Sequence, residues 1–471
     1  MSFIEERKAL TREKRLSTLS HYNGSLEQLA NDVKGAEIKQ RIRTFSQSSN
    51  DEILFALRVL SKIEQSAVIV HGSIGCSASG IYFNQEKDFQ WYSTNLNERD
   101  TILGGDEKLR KAVVRAYEEQ KPKVIFIVGT PVVAINNDDV SSVIIELEEE
   151  LDVKIVSIYT DGFKTKAPAT GYDIVLHSLL RYVVDRTSGS DEQKEDFINV
   201  VTLSENREDI VAIIKILKAL DISYQLLPQF SSIDEIEKAG RARATITLNP
   251  DEGSYFAEEL EQVFGVPYIK TEVPIGIRGT RNFIKKIAKA LSIEEKAEDY
   301  IEKKEEAAQK AVGKSPLAGR TVFLDIKLTP ARGFIELVES LGGKTAGLAV
   351  TSVNLNNRDV IEKLDSLTNV TPVIVANGQP FEKANVLSKD KVDYYVGLEE
   401  NVAFAAEQGS IPISLAHAGI LGFDGIDRFV RLIEKSEAAQ GIRDFALEKE
   451  AFYKASWLKK SSNWYVKQEV K

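Results

Sequence analysis

The chain has 471 residues, too long for a single hydrophobic core and enough for two or three domains. Its 61 Lys+Arg against 71 Asp+Glu leave a net charge of −10, which argues against a nucleic-acid or anionic-membrane binder and points to protein or small-molecule partners. A single cysteine excludes an intramolecular disulfide, the opening Met1-Ser2-Phe3-Ile4-Glu5-Glu6-Arg7-Lys8 is charged, and no apolar run approaches the roughly 20 residues that span a bilayer, so the reading is a soluble, cytoplasmic protein.

Residues 1–45 read as polar and helical. The run Ala67 to Val70 is short and largely β-branched and predicts a buried strand. It breaks in His71-Gly72-Ser73-Ile74-Gly75-Cys76, where the glycines permit backbone geometry that other residues resist and deliver the chain's one thiol to a sheet edge. Open α/β folds place ligands at that edge, although a lone cysteine is more often a small buried hydrophobe than a ligand. Lys123 to Val128 predicts the next strand, followed by the helix Asp138 to Glu150 and the strand Val153 to Ile158. That alternation predicts parallel sheets built from βαβ units.

The pattern restarts after an acidic break at Thr187 to Glu195, with strands predicted at Phe197 to Val201, Tyr224 to Leu227, Ala244 to Leu248 and Pro267 to Ile269. A charged helix, Ile293 to Val312, leads through Gly313-Lys314-Ser315-Pro316 to a third series: Arg320 to Ile326, Thr345 to Val350, Val373 to Ala376, Tyr394 to Val396 and Ile411 to Ser414. The predicted fold class is therefore α/β, with three doubly wound domains over 1–195, 196–315 and 316–471, and helical N- and C-terminal segments. In the tail, Phe452, Tyr453, Trp457, Trp464 and Tyr465 either pack on the parent domain or clasp a second subunit.

Other motifs carry less. Leu341-Gly342-Gly343-Lys344-Thr345 resembles a phosphate loop, but Val338 stands where its first glycine belongs, and a helix ending in glycine before a strand explains it better. None of the four histidines forms a zinc-like pair with Cys76. His177 lies in an apolar helical stretch and reads as structural; His71 adjoins the thiol loop, and His417, at a strand end, is more open to function. The acidic residues follow helical charge patterns such as Glu146-Leu147-Glu148-Glu149-Glu150, and no Ser-His-Asp elbow occurs.

Four ordered pieces, His71-Gly72-Ser73-Ile74-Gly75-Cys76, Trp91 through Asp100, Gly104-Gly105-Asp106-Glu107-Lys108-Leu109 and Lys121-Pro122-Lys123 through Val140, resemble component 1 of the nitrogenase family. So do Phe264 through Ile269, Pro274-Ile275-Gly276 and Gly422-Phe423-Asp424-Gly425, and the likeness is closer to the β-type than to the α-type subunit. It implies three Rossmann-like domains, in agreement with the periodicity. In this family thiolates from two subunits hold an iron-sulfur cluster at their interface, and the resemblance makes Cys76 one such ligand, a role that suits a soft thiolate. Other ligand positions are altered. Thr130-Pro131 stands where a cysteine would precede proline, and Asn50-Asp51 stands near the upstream cysteine; Asp51 is a candidate oxygen ligand, with helix capping the competing role, for which Ser48 and Ser49 also compete. Asn249 and Leu421 occupy the positions of the cysteine and histidine that anchor the molybdenum cofactor, so no nitrogenase-type molybdenum cofactor is expected.

One thiolate per chain cannot complete a cubane cluster. The resemblance therefore implies an α-like partner supplying three cysteines, a heterotetramer of two such pairs, and electrons from an ATP-dependent iron-sulfur reductase docking near Leu103, which reads equally well as a core residue. The leading expectation is a subunit of a nitrogenase-like oxidoreductase that relays electrons for reduction of a tetrapyrrole, a small sulfur compound or another unsaturated molecule. A metal-cofactor assembly scaffold and a cluster-free homodimeric binding or regulatory module are the alternatives.

Overall fold

The computed structural model describes residues 21–34, 41–43, 52–82, 89–160, 170–189, 194–203, 206–353, 357–366, 372–376, 380–397, 402–448, 452–461 and 466–468. The chain divides into two compact units, the first built chiefly from Asn50–Leu203 and Ser223–Tyr268, the second from Ser17–Ser49, Ser204–Ile222 and Ile269–Lys471. Each is an α/β structure with parallel sheets, as the alternating strands and helices predict.

Strand β1 (His21–Gly24) belongs to the second unit. In the first unit, helix α1 (Glu52–Leu60) precedes β2 (Ser66–His71), α2 (Ile74–Tyr82), β3 (Trp91–Ser93), α3 (Glu98–Leu103), α4 (Asp106–Gln120), β4 (Val124–Gly129), α5 (Pro131–Asn136), α6 (Val140–Glu150), β5 (Lys154–Tyr159) and α7 (Thr170–Tyr182). The four strands pair in parallel in the order β3-β2-β4-β5. Along β2 and β4 every residue is buried, because both faces of the sheet are covered. Val68, Val70, Phe126, Val128, Val156 and Ile158 enter one core with α1 and α7; the alternate residues Ala67, Ile69, Ile125, Ile127 and Ile155 enter another with α4 and α6. That period of two identifies the strands, and Ile/Val runs without polar interruption identify them as interior ones.

A second parallel sheet of this unit has the order β8-β6-β7, from β6 (Ile198–Thr202), β7 (Tyr224–Pro228) and β8 (Ala244–Thr247). The segment between β6 and β7 contributes α8 (Arg207–Ala219) to the second unit, and α9 (Pro250–Phe264) follows β8. The expected strand at Pro267 to Ile269 reduces to one bridge, Thr245 to Tyr268: this proline-led stretch is too short to extend a ladder.

The second unit contains α10 (Glu294–Val312), β9 (Thr321–Asp325), α11 (Ala331–Ser340), β10 (Lys344–Val350), β11 (Val373–Ala376), α12 (Pro380–Lys389), β12 (Tyr394–Gly397), β13 (Ile411–Ser414) and α13 (Phe423–Ala438). Its sheet has the order β1-β11-β10-β9-β12-β13, parallel except for β1. Helix α11 ends at Ser340 with Leu341 as its cap, Gly342 takes φ +83° and β10 begins at Lys344, so the glycine pair is a helix stop. The helical reading of the terminal segments holds for Leu26–Lys34 and Gly441–Glu448 but not for His21–Gly24, which forms an antiparallel edge strand against β11, nor for Arg41–Arg43 and Val466–Gln468, which pair antiparallel with each other. A run of four residues, His21-Tyr22-Asn23-Gly24, is too short to carry a periodicity that reveals a strand. Among the described residues no helix is long and apolar enough to cross a membrane.

Candidate functional site

In the first sheet β2 is the earliest strand and lies centrally; the chain adds β3 on one side and then crosses to β4 on the other. The β2/β4 boundary is thus a topological switch point, where loops diverge and ligands are bound in open α/β sheets. His71 and Gly129 are register partners there, and the Thr130 N–H donates to the His71 carbonyl at 3.0 Å.

The two turns touch at Gly72. A Cβ on Gly72 would stand 2.0 Å from Thr130 Oγ1, so only glycine lets the strands exit side by side. Three residues after β2, helix α2 begins, and Cys76 lies in its first turn rather than in the glycine loop the sequence predicts. It is unbridged and partly exposed. Beside it, a Cβ on Gly75 would meet nothing within 4 Å, and Ile74 is 67% exposed. Other aliphatic side chains stand out on the same edge of the sheet: Ile102 and Leu103 on α3 and Ile135 on α5. Leu103 is 71% exposed, which removes the core-residue alternative. Helix α3 is fixed by a capping box between Asn97 and Asp100 and tied to α5 by Asn136 Nδ2 donating to the Thr101 carbonyl at 2.9 Å.

Beneath the loop lies a polar network whose members the sequence motifs contain but do not explain. His71, 1% exposed, places Nδ1 3.1 Å from Thr94 Oγ1 and Nε2 3.5 Å from Asp138 Oδ2. Thr94 Oγ1 also accepts the Gly72 N–H at 3.0 Å. Its own proton is directed at the Gly72 carbonyl at 3.4 Å, and Asp138 Oδ2, although 3.5 Å from Nε2, makes no hydrogen bond. Burial drives the His71 pKa down to about 4, so the ring is neutral, and burial followed by the charge of Asp106 pushes the Asp138 carboxyl up.

The remaining candidates are dispersed. Thr130, at the altered cysteine position, is fully buried against Gly72 and its Oγ1 has no hydrogen-bond partner, so it faces into the fold. Asp51 and its neighbours Ser48, Ser49 and Asn50 lie outside the described residues, as do Trp464 and Tyr465. Asn249 is buried ahead of α9 with Nδ2 on Glu252 at 2.7 Å. Leu421 is buried in the second unit, its N–H donating at 2.9 Å to Asp209, a carboxyl raised by burial. His177 is buried with Nδ1 2.7 Å from the Tyr255 hydroxyl, a structural contact. His417 is exposed, 3.9 Å from Glu208. Among the described residues no three His, Cys, Asp or Glu side chains converge as a metal-holding group. Among the described residues, those present fit an iron-sulfur cluster at one ligand position: a partly exposed thiol at a rim.

The sequence matches, over residues 52–436, the family described as nitrogenase component 1 type oxidoreductase. The nitrogenase iron-molybdenum cofactor biosynthesis protein NifE of Clostridium pasteurianum is 28% identical over 353 residues, which cover 72% of this chain and 75% of that protein. The nitrogenase molybdenum-iron protein alpha chain of the same organism is 24% identical, over 71% of this chain and 66% of that one. Among solved structures, nitrogenase Cp1 at pH 6.5 superposes with a TM-score of 0.73 at 17% identity, covering 88% of this chain and 97% of that chain.

Proposed function

Because the chain belongs to the nitrogenase component 1 type oxidoreductase family, we propose that it is a cytoplasmic subunit of a nitrogenase-like complex in which Cys76 gives one thiolate to an iron-sulfur cluster shared with a partner. The observation that carries this reading is a half-built site: one partly exposed thiol at the switch point, on the sheet edge from which Ile74, Ile102, Leu103 and Ile135 also stand exposed. Exposed aliphatic residues grouped about a site mark protein contacts, and a thiolate at such a rim is shared across one. The partner is an α-like subunit of the same family bearing the missing cysteines, two such pairs form the heterotetramer, and Leu103 contacts an ATP-dependent iron-sulfur reductase. Bound there, the cluster would supply one-electron relay. This chain's residues hold the thiol at the rim and keep Thr130 and the strand ends beneath it dry. Asp51, the residue before α1, remains the candidate oxygen ligand. The relatives reported above include a nitrogenase molybdenum-iron protein alpha chain.

A second reading, the assembly scaffold, is favoured by the likeness to NifE, described as a cofactor biosynthesis protein. Both readings need Cys76 and a partner; they differ in whether metal stays. The complex is purified anaerobically with the product of the neighbouring gene, assayed for iron and sulfide, and challenged with reductase and ATP or with a metal-free acceptor. Iron that stays and is reduced supports the relay, and iron that moves to the acceptor supports the scaffold. An iron-free chain that dimerises by itself refutes both.

A further inference from the structure

The buried Asp138, His71 and Thr94 side chains stand in the order of a hydrolytic triad, but Asp138 Oδ2 makes no hydrogen bond, Thr94 is 5% exposed and its hydroxyl is engaged by the Gly72 N–H and carbonyl, so no substrate reaches it. What the network does reach is backbone. Through Thr94 the imidazole holds the Gly72 N–H, four residues before Cys76. On its other side a Cβ on Gly105 would come within 2.8 Å of His71 Cε1, so the ring is seated directly under the α3–α4 turn that follows Leu103. Nε2 faces Asp138, whose segment joins α5, carrying Ile135, to α6. The groups facing the ring are thus Thr94, Asp138 and the Gly105 backbone, with Asp106 acting on Asp138. Three turns meet on one side chain, and each bears part of the exposed rim.

We propose that His71 is a positioning residue: from beneath the sheet edge it locks the Cys76 turn to the turns after Leu103 and Ile135, and so sets the pose of the thiol and of the aliphatic rim toward a partner. The assignment rests on the reading of Cys76 as a shared ligand. It predicts that loosening the imidazole changes thiol accessibility while the fold stays intact, which a residue that only fills the core would not do.

Because Cys76 is the chain's one cysteine, its alkylation by iodoacetamide reports on that turn alone. His71→Asn can keep the bond to Thr94 but cannot reach Asp138; Asp138→Asn keeps the shape and removes the charge. In the full-length chain, both variants are expected to speed Cys76 alkylation by about fivefold or more, as a lost buried polar partner opens a local segment, with unfolding midpoints shifted by only a few degrees. Wild-type alkylation rates in folded variants overturn the proposal. If both variants fail to fold, the ring is a core-packing element and the assignment falls as well. Alkylation needs neither cluster nor partner, so a Cys76→Ser complex that retains all its iron refutes the cluster reading while leaving this result to stand or fall by itself.

Discussion

Replacing Gly72 with alanine tests whether the switch point is as tight as its geometry states. The added Cβ would meet Thr130 Oγ1, Cγ2 and Cβ at 2.0, 2.5 and 2.7 Å. Carbon contacts settle near roughly 3.5 Å, so the two turns must separate by more than about 1 Å in a region packed on both faces. Overpacking of a buried site costs about 1–3 kcal/mol, and three simultaneous overlaps with a fully buried side chain place Gly72→Ala near about 3 kcal/mol. Thr130→Ala removes the two nearest atoms together with an unpartnered buried hydroxyl, so alone it is close to neutral. The double variant is expected to regain about half of the loss, a coupling of about 1.5 kcal/mol. Urea unfolding of the first unit, followed by Trp91 emission after Trp457 and Trp464 are changed to phenylalanine, measures each corner of the cycle. A Gly72→Ala chain within about 0.5 kcal/mol of wild type, or a double variant equal to the sum of its singles, refutes the reasoning.

Burial holds the folded His71 pKa at about 4 against 6.5 in the free residue, so between those values the unfolded chain takes up a proton that the folded one refuses. Stability from this group is therefore complete above pH 6.5 and lost as pH falls toward 4, by about 2–3 kcal/mol; comparing urea midpoints of wild type and His71→Asn at pH 7 and pH 5 should show a shallower fall in the variant, and parallel falls would exclude it. In the second unit Lys383 Nζ lies 2.9 and 2.7 Å from the two oxygens of Asp325, which also accepts the Tyr395 hydroxyl, all three buried. Lys383→Met strands that carboxylate and should cost about 3 kcal/mol in unfolding free energy, with Asp325→Leu added to recover part of it. Leu103→Asp should leave the unfolding midpoint unchanged, since the side chain is exposed, yet weaken reductase binding about tenfold or more in a pull-down titration.

These strands were legible because of their Ile/Val-rich runs: Val373 to Ala376 and Ile411 to Ser414 match residue for residue, and β2, β4 and β5 differ by one position at each end. β1 and β3 were not, since His21-Tyr22-Asn23-Gly24 and Trp91-Tyr92-Ser93 owe their pairing to neighbours distant in sequence. At the site, glycine at 72 was visible but its reason was not, because Thr130 meets it only once β2 and β4 are in register. Thr94, Gly105 and Asp138 sat inside the quoted motifs without a role: each is polar or small, and only tertiary structure gathers them round His71. Cys76 lies one element beyond the loop that its flanking glycines suggest, because Gly75 is already helical.

The most direct test is the iron and sulfide content of the complex purified anaerobically with its neighbouring gene product, wild type against Cys76→Ser. The account predicts a partner still bound in both and iron lost, or reduced well below the wild-type content, in the variant. Equal iron in the two complexes, or a wild-type complex with none, contradicts it.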